Sequence, residues 1–166
     1  MLNIVLKGFV PLLLTAFAFF SCTSSKKTTA AVSRDELKGT WQLDNITYEG
    51  LPQDQKVKLT LLGEGPEVCL KGSTWVLPNN GNGSYTINSN DAGCSAGQRS
   101  IVWSYRVEND QPIFQYKKLP GGVKAEDVLE GYKFTIVDAA AEKLNLKSNV
   151  TFEGSTISIY YQFSKK

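Results

Sequence analysis

The chain has 166 residues, 18 Lys and Arg against 16 Asp and Glu, and no histidine. That length suits one domain with a real core and falls short of two ordinary ones. The near balance of charge leaves no basic footprint for nucleic acid. The lack of histidine excludes His-based triads, HExxH zinc sites and His-ligated haem.

The first residues read as a targeting segment. Lys7 precedes the apolar run Phe9 to Phe20, about a dozen residues, which is the size of a signal-peptide h-region and short for a membrane span. Ser21-Cys22 comes next, then the polar tract Thr23 to Thr29. A small residue followed by cysteine at the end of an h-region resembles the lipobox of bacterial lipoproteins. Phe19-Phe20 stands where Leu and a small residue are usual, a relaxed form similar to that of Bacteroidota lipoproteins. The resemblance implies cleavage before Cys22 and a diacylglycerol thioether on its sulfur, a lipid anchor to the membrane. Several acyl chains on one residue exceed what stable anchoring needs. Ordinary signal cleavage after Ala16-Phe17-Ala18 is the competing reading and would leave Cys22 as a thiol. The expected organisation is a signal peptide over 1–21, a flexible tether over 22–33 and a folded domain over 34–166. No acidic run follows Cys22, and in Bacteroidota such runs resemble surface-export signals. The expected location is therefore the periplasmic face of the outer membrane.

Ser33-Arg34-Asp35-Glu36 has the capping-box pattern and predicts one helical turn. It runs into Leu37-Lys38-Gly39-Thr40-Trp41, where the period changes to that of a strand. Lys56 to Leu62 alternates Val57, Leu59 and Leu61 against Lys58 and Thr60, a half-buried strand pattern. Gly63-Glu-Gly-Pro66 turns the chain into a central hairpin, whose arms Val68 to Leu77 and Ser84 to Ile87 flank Asn79-Asn-Gly-Asn-Gly83. Those turn residues tolerate positive φ. Ile101, Trp103, Tyr105 and Val107 alternate with Val102, Ser104 and Arg106, and Ile113 to Lys117 follows a turn at Asn109 to Pro112. Lys124 to Glu130 is a loop or a helical turn. Further strands are expected at Tyr132 to Val137, Leu144 to Leu146, Val150 to Phe152 and Ile157 to Phe163. About eight or nine short strands joined by tight turns favour an all-β, antiparallel up-and-down barrel, with a sandwich as the other solution.

Gly39-Thr40-Trp41 after a capped turn resembles the Gly-x-Trp signature on the first strand of lipocalins. Together with Cys69, Trp75, Tyr85, Cys94 and Trp103, it makes the chain similar to lipocalin-like lipoproteins of the Bacteroidota type. The resemblance implies a barrel fold and a cell-envelope location. Lipocalins place an arginine near the last strand over the signature Trp, whereas this chain ends Phe163-Ser-Lys-Lys.

With Cys22 lipidated, Cys69 and Cys94 form an even pair in an oxidising compartment. A disulfide there would staple the first hairpin strand to the segment after the second. Closing a loop of about 25 residues stabilises by roughly 3 kcal/mol. Two buried free thiols are the alternative. The pair lacks CxxC spacing, and no phosphate-binding glycine motif occurs, so no cofactor, no metal site and no enzymatic activity are expected. Glu64, Glu67, Asp91, Glu126, Asp127 and Glu130 fall in loops and read as solvated charges rather than a catalytic pair. The aromatic residues of the strands, Trp75, Trp103, Tyr105, Phe114, Tyr116, Phe134, Tyr160, Tyr161 and Phe163, are the candidate functional set. If their strand faces point inward, Trp75, Trp103 and Tyr105 line a cavity for a small apolar ligand. A barrel filled by those same rings would instead suit a tethered protein-interaction module, such as a protease inhibitor or a subunit of an envelope complex. Trp41 reads as structural. Oligomeric state has no sequence signal.

Overall fold

Alternation along the chain becomes eight antiparallel strands in a computed structural model, which describes residues 32–51, 59–121 and 123–166. After a helical turn α1 (Arg34–Leu37) come β1 (Gly39–Glu49) and a second helical turn α2 (Glu67–Leu70). The remaining strands are β2 (Thr74–Leu77), β3 (Asn82–Ile87), β4 (Gly97–Glu108), β5 (Gln111–Lys118), β6 (Tyr132–Ala139), β7 (Lys143–Phe152) and β8 (Ser155–Lys165). Each strand pairs with the next in sequence, and β8 closes on β1 from Trp41↔Lys165 to Glu49↔Ser158. The chain is thus an all-β, up-and-down closed barrel, as its pattern of short strands and tight turns predicts.

Three local readings are corrected. Residues 59–62 are not a strand, and only Leu61 makes a bridge, to Gly65; residues 56–58 of that expected strand lie outside the described residues. The cause is the Gly63-Glu64-Gly65 turn, where Leu62, Gly63 and Gly65 all take positive φ and cannot continue a pleat. Cys69 sits on α2, not on the hairpin strand, because Pro66 opens a helical turn over Glu67–Leu70. Leu144 to Leu146 and Val150 to Phe152 belong to one strand, β7, paired along its whole length with β8. Val32, just before α1, is buried in the core.

One end of the barrel is sealed. Glu36 accepts a hydrogen bond from the Ser33 backbone N–H at 2.6 Å, fixing α1 across this end. The Trp41 indole donates to the Leu37 carbonyl at 2.9 Å. Lys165 lies 5.0 Å over the Trp41 ring, so a lysine on β8 covers the face that an arginine covers in lipocalins. Arg34 lies 4.4 Å over Trp103 and donates to the Asn79 carbonyl. Behind this seal the interior is filled by rings: Trp75 stacks on Tyr85 at 4.5 Å and meets Tyr116 and Phe163 edge-on at 5.4 and 5.8 Å. Such contacts add about 1 kcal/mol each beyond area burial.

The other end carries the long connections: β1–β2, β3–β4 and β5–β6. Across it, Cys69 on α2 and Cys94 in the β3–β4 loop lie at disulfide distance, with Cα atoms 5.2 Å apart and 25 residues between them in sequence. Replacing both by serine should lower unfolding free energy by about 3 kcal/mol with the barrel intact. Urea unfolding followed by circular dichroism measures this. Thiol titration of denatured, unreduced protein should find neither Cys69 nor Cys94 free.

Candidate functional site

The wall of the barrel parts at its open end. β6 and β7 pair only from Thr135↔Lys147 to Ala139↔Leu144, with a bulge between Ile136 and Asp138. Above that, Tyr132 to Phe134 stay with β5 while Ser148 to Phe152 stay with β8. The gap opens into a recess of about 380 Å³. Its wall is Phe134 from β6 with Ile159 and Tyr161 from β8, all buried, closed from above by Leu61 and Leu62. Its rim is polar, with Glu130, Lys133, Ser148 and Asn149. An apolar interior with a few polar groups at the mouth is the composition of small-molecule sites.

The β1–β2 connection covers the mouth and is held there by one carboxylate. The Glu64 side chain is only 6% exposed, against the expectation of a solvated loop charge. It accepts hydrogen bonds from the Tyr85 hydroxyl on β3, Arg99 on β4 at 2.8 Å and Lys118 on β5 at 3.1 Å. Lys118 also donates to the Leu62 carbonyl at 2.9 Å. Burial alone would raise the Glu64 pKa; the bonds from Arg99, Tyr85 and Lys118 outweigh it and hold the carboxyl below its usual value. Burial, and then the Glu64 charge, push the Tyr85 phenol up. Together with the Cys69–Cys94 pair, this pins the covering segment to three neighbouring strands and to the β3–β4 loop.

None of Trp75, Trp103 and Tyr105 lines the recess. Trp75 is packed in the sealed half with its indole N–H donating to Ser73 Oγ at 3.0 Å. Trp103 donates to the Pro78 carbonyl at 3.1 Å and Tyr105 to the Val32 carbonyl at 2.5 Å. Trp103 and Tyr105 use their polar handles at the sealed end and Trp75 bonds to the β1–β2 connection, so none of the three contacts the recess. Trp103 does border a smaller hollow of about 240 Å³. That hollow is on the outer face, where Val102, Ser104, Gln115, Lys117 and Lys133 project. Cys22 lies outside the described residues. From sequence, Phe134 and Tyr161 fall in the aromatic candidate set without assignment to the ligand site, Glu64 reads as a solvated charge, and Ile159 is not selected. Phe134 and Tyr161 stand out as aromatic strand residues, but nothing in their alternation says where two strands separate.

No protein-family model matches this chain, and no curated protein sequence matches it. The functional reading therefore rests on the barrel and its recess.

The lowered pKa of Glu64 has a defined consequence for stability. Its contribution is complete above the free value of 4.5 and is lost as pH falls through the lower folded-state value. Glu64→Gln should cost about 2 kcal/mol at neutral pH, because two cations lose their partner. It should also flatten the fall in stability as pH drops below 4.5. Urea midpoints across that range, with hydrogen exchange over residues 59–70, report both effects.

Proposed function

We propose that the chain is a non-catalytic, lipid-anchored carrier of the bacterial cell envelope, in which a lipocalin-like barrel holds a small apolar molecule. The observation that carries this reading is the recess of about 380 Å³ backed by Phe134, Ile159 and Tyr161. A filled barrel needs no such space. Its volume falls within the range of small-ligand sites. A molecule burying roughly 250 Å² of apolar surface there gains about 6 kcal/mol before association costs. Affinity would accordingly be modest unless polar contacts add to it. The Gly-x-Trp start, the cation over Trp41 and the pinned cover at the open end support the lipocalin likeness.

The interaction-module reading draws on a different observation. The sealed half is packed solid, and Leu129 in the β5–β6 connection is 97% exposed. That reading predicts a protein partner and an empty recess. The two are separated by a neutral naphthylamine dye, which brightens in apolar surroundings. Binding should be saturable and should weaken at least tenfold in Ser148→Phe. Ser148 approaches the Tyr161 hydroxyl at 3.4 Å, so the added ring enters the recess. Dye binding that is absent, or unaltered by Ser148→Phe, would discard the carrier.

The anchor has its own test. On the lipobox resemblance, intact-mass analysis of membrane-extracted protein should give a chain starting at Cys22 with added acyl mass. Cys22→Ala should leave unprocessed or soluble protein. A chain starting at Phe19 without acyl mass excludes the anchor.

A further inference from the structure

Among the described residues, one buried side-chain polar atom lacks a hydrogen-bond partner: the hydroxyl of Tyr116. Tyr116 is 1% exposed, on β5. An unpaired buried hydroxyl costs stability, so a barrel whose other described buried indoles and phenols are satisfied would gain by replacing it with Phe. Its position suggests what it is kept for. The ring stacks on Tyr132 at 4.9 Å and on Phe134 at 6.1 Å, and both of those side chains line the recess. Tyr116 is thus one aromatic layer behind the recess wall. Phe134 is fully buried, whereas Tyr132 is partly exposed, with its hydroxyl donating to Glu130 at the rim and its ring under Lys118 at 5.3 Å. Of these two, Tyr132 is the one not enclosed by the core.

On the carrier reading, we propose that the recess takes a neutral apolar molecule bearing a terminal carbonyl oxygen, which accepts a hydrogen bond from the Tyr116 hydroxyl once Tyr132 turns aside. The electrostatics select against an acid. Burial pushes the Tyr116 phenol up, with Tyr85, Tyr132, Tyr161 and Glu64 adding to it, so at neutral pH the group donates a proton rather than carrying charge. The nearest cations are already committed: Arg99 to Glu64 and the Ser95 carbonyl, Lys118 to Glu64 and the Leu62 carbonyl. A carboxylate head would be buried beside Tyr116 without a free counter-ion, which is costly. A carbonyl head satisfies the hydroxyl and brings no charge.

The test is calorimetric titration of delipidated protein at neutral pH with three probes of equal chain length: a medium-chain methyl ketone, the corresponding carboxylic acid and the terminal alkene. The ketone should bind about tenfold more tightly than the alkene, the worth of one buried hydrogen bond, and the acid most weakly. Tyr116→Phe should erase the advantage of the ketone and leave alkene affinity unchanged. Without ligand, Tyr116→Phe should have a urea midpoint equal to or above that of the wild type, since no bond is lost. Tightest binding of the acid, or a ketone preference that survives in Tyr116→Phe, overturns this inference while leaving the carrier intact. A lower urea midpoint for Tyr116→Phe overturns it as well, because the hydroxyl would then be satisfied by a buried water. If none of the three probes binds, the carrier reading fails and this inference with it.

Discussion

Closure of the sheet is the constraint on which everything else depends. Eight strands can bury all their edges only if the last finds the first, and here β8 runs beside β1 from Trp41↔Lys165 to Glu49↔Ser158. Closure also sets the volume to be filled. The interior of an eight-stranded barrel is just wide enough for its own side chains or one small ligand. This chain divides that choice along the axis. At the sealed end, Trp41, Trp75, Tyr85 and Phe163 occupy the space, and at the open end the strands part and leave a recess. The division follows from pairing: β6 contacts β7 over only part of its length, so the wall around Phe134, Ile159 and Tyr161 is not drawn tight.

A gap in the wall and a short β2 expose apolar interior to water, and the β1–β2 connection answers that cost. Leu61, Leu62 and Leu70 supply the apolar cover, and Glu64 supplies its position. A purely apolar cover would stick without a defined register. A carboxylate that must meet a phenol, a guanidinium and an ammonium from β3, β4 and β5 has one seat. Such a buried network adds little net stability, since desolvation offsets much of the Coulomb gain. Its effect is to specify where the cover sits. The cross-link at Cys69 and Cys94 acts differently, by shrinking the unfolded ensemble.

Much of the fold was legible in the sequence because barrel strands carry their signal locally. Ile101, Trp103 and Tyr105 alternate, Asn79 to Gly83 turns, and pairing between neighbours needs no long-range information. The readings that failed were those in which local pattern and tertiary context disagree. Val57, Leu59 and Leu61 alternate like a strand, yet Leu61 and Leu62 are buried as a cover ending in a glycine turn. Glu64 looks like a solvated loop residue because nothing nearby in sequence marks Arg99 and Lys118 as its partners. The choice of Trp75, Trp103 and Tyr105 was right about direction for the two buried indoles and silent about depth. Alternation tells which face a residue is on, but depth along the barrel axis decides whether it packs or lines a space.

On the anchored-carrier reading, depth would also order the molecule with respect to a membrane. The described chain enters at the sealed end, where Val32 receives the Tyr105 hydroxyl and Arg34 caps Trp103. The recess lies at the opposite end, beyond the Glu64 cover. On the anchored-carrier reading, lipid on Cys22 would attach to the sealed side. Ten residues fully extended reach at most about 35 Å, comparable with the length of a small barrel. A barrel held so, with its mouth outward, exchanges ligand more readily with something across the aqueous gap than with its own bilayer. The recess would then be filled or emptied by a soluble or facing partner. Its polar rim of Glu130, Lys133 and Asn149 suits that exposure better than burial in lipid, because charges at a mouth pressed into hydrocarbon would have to be stripped of water.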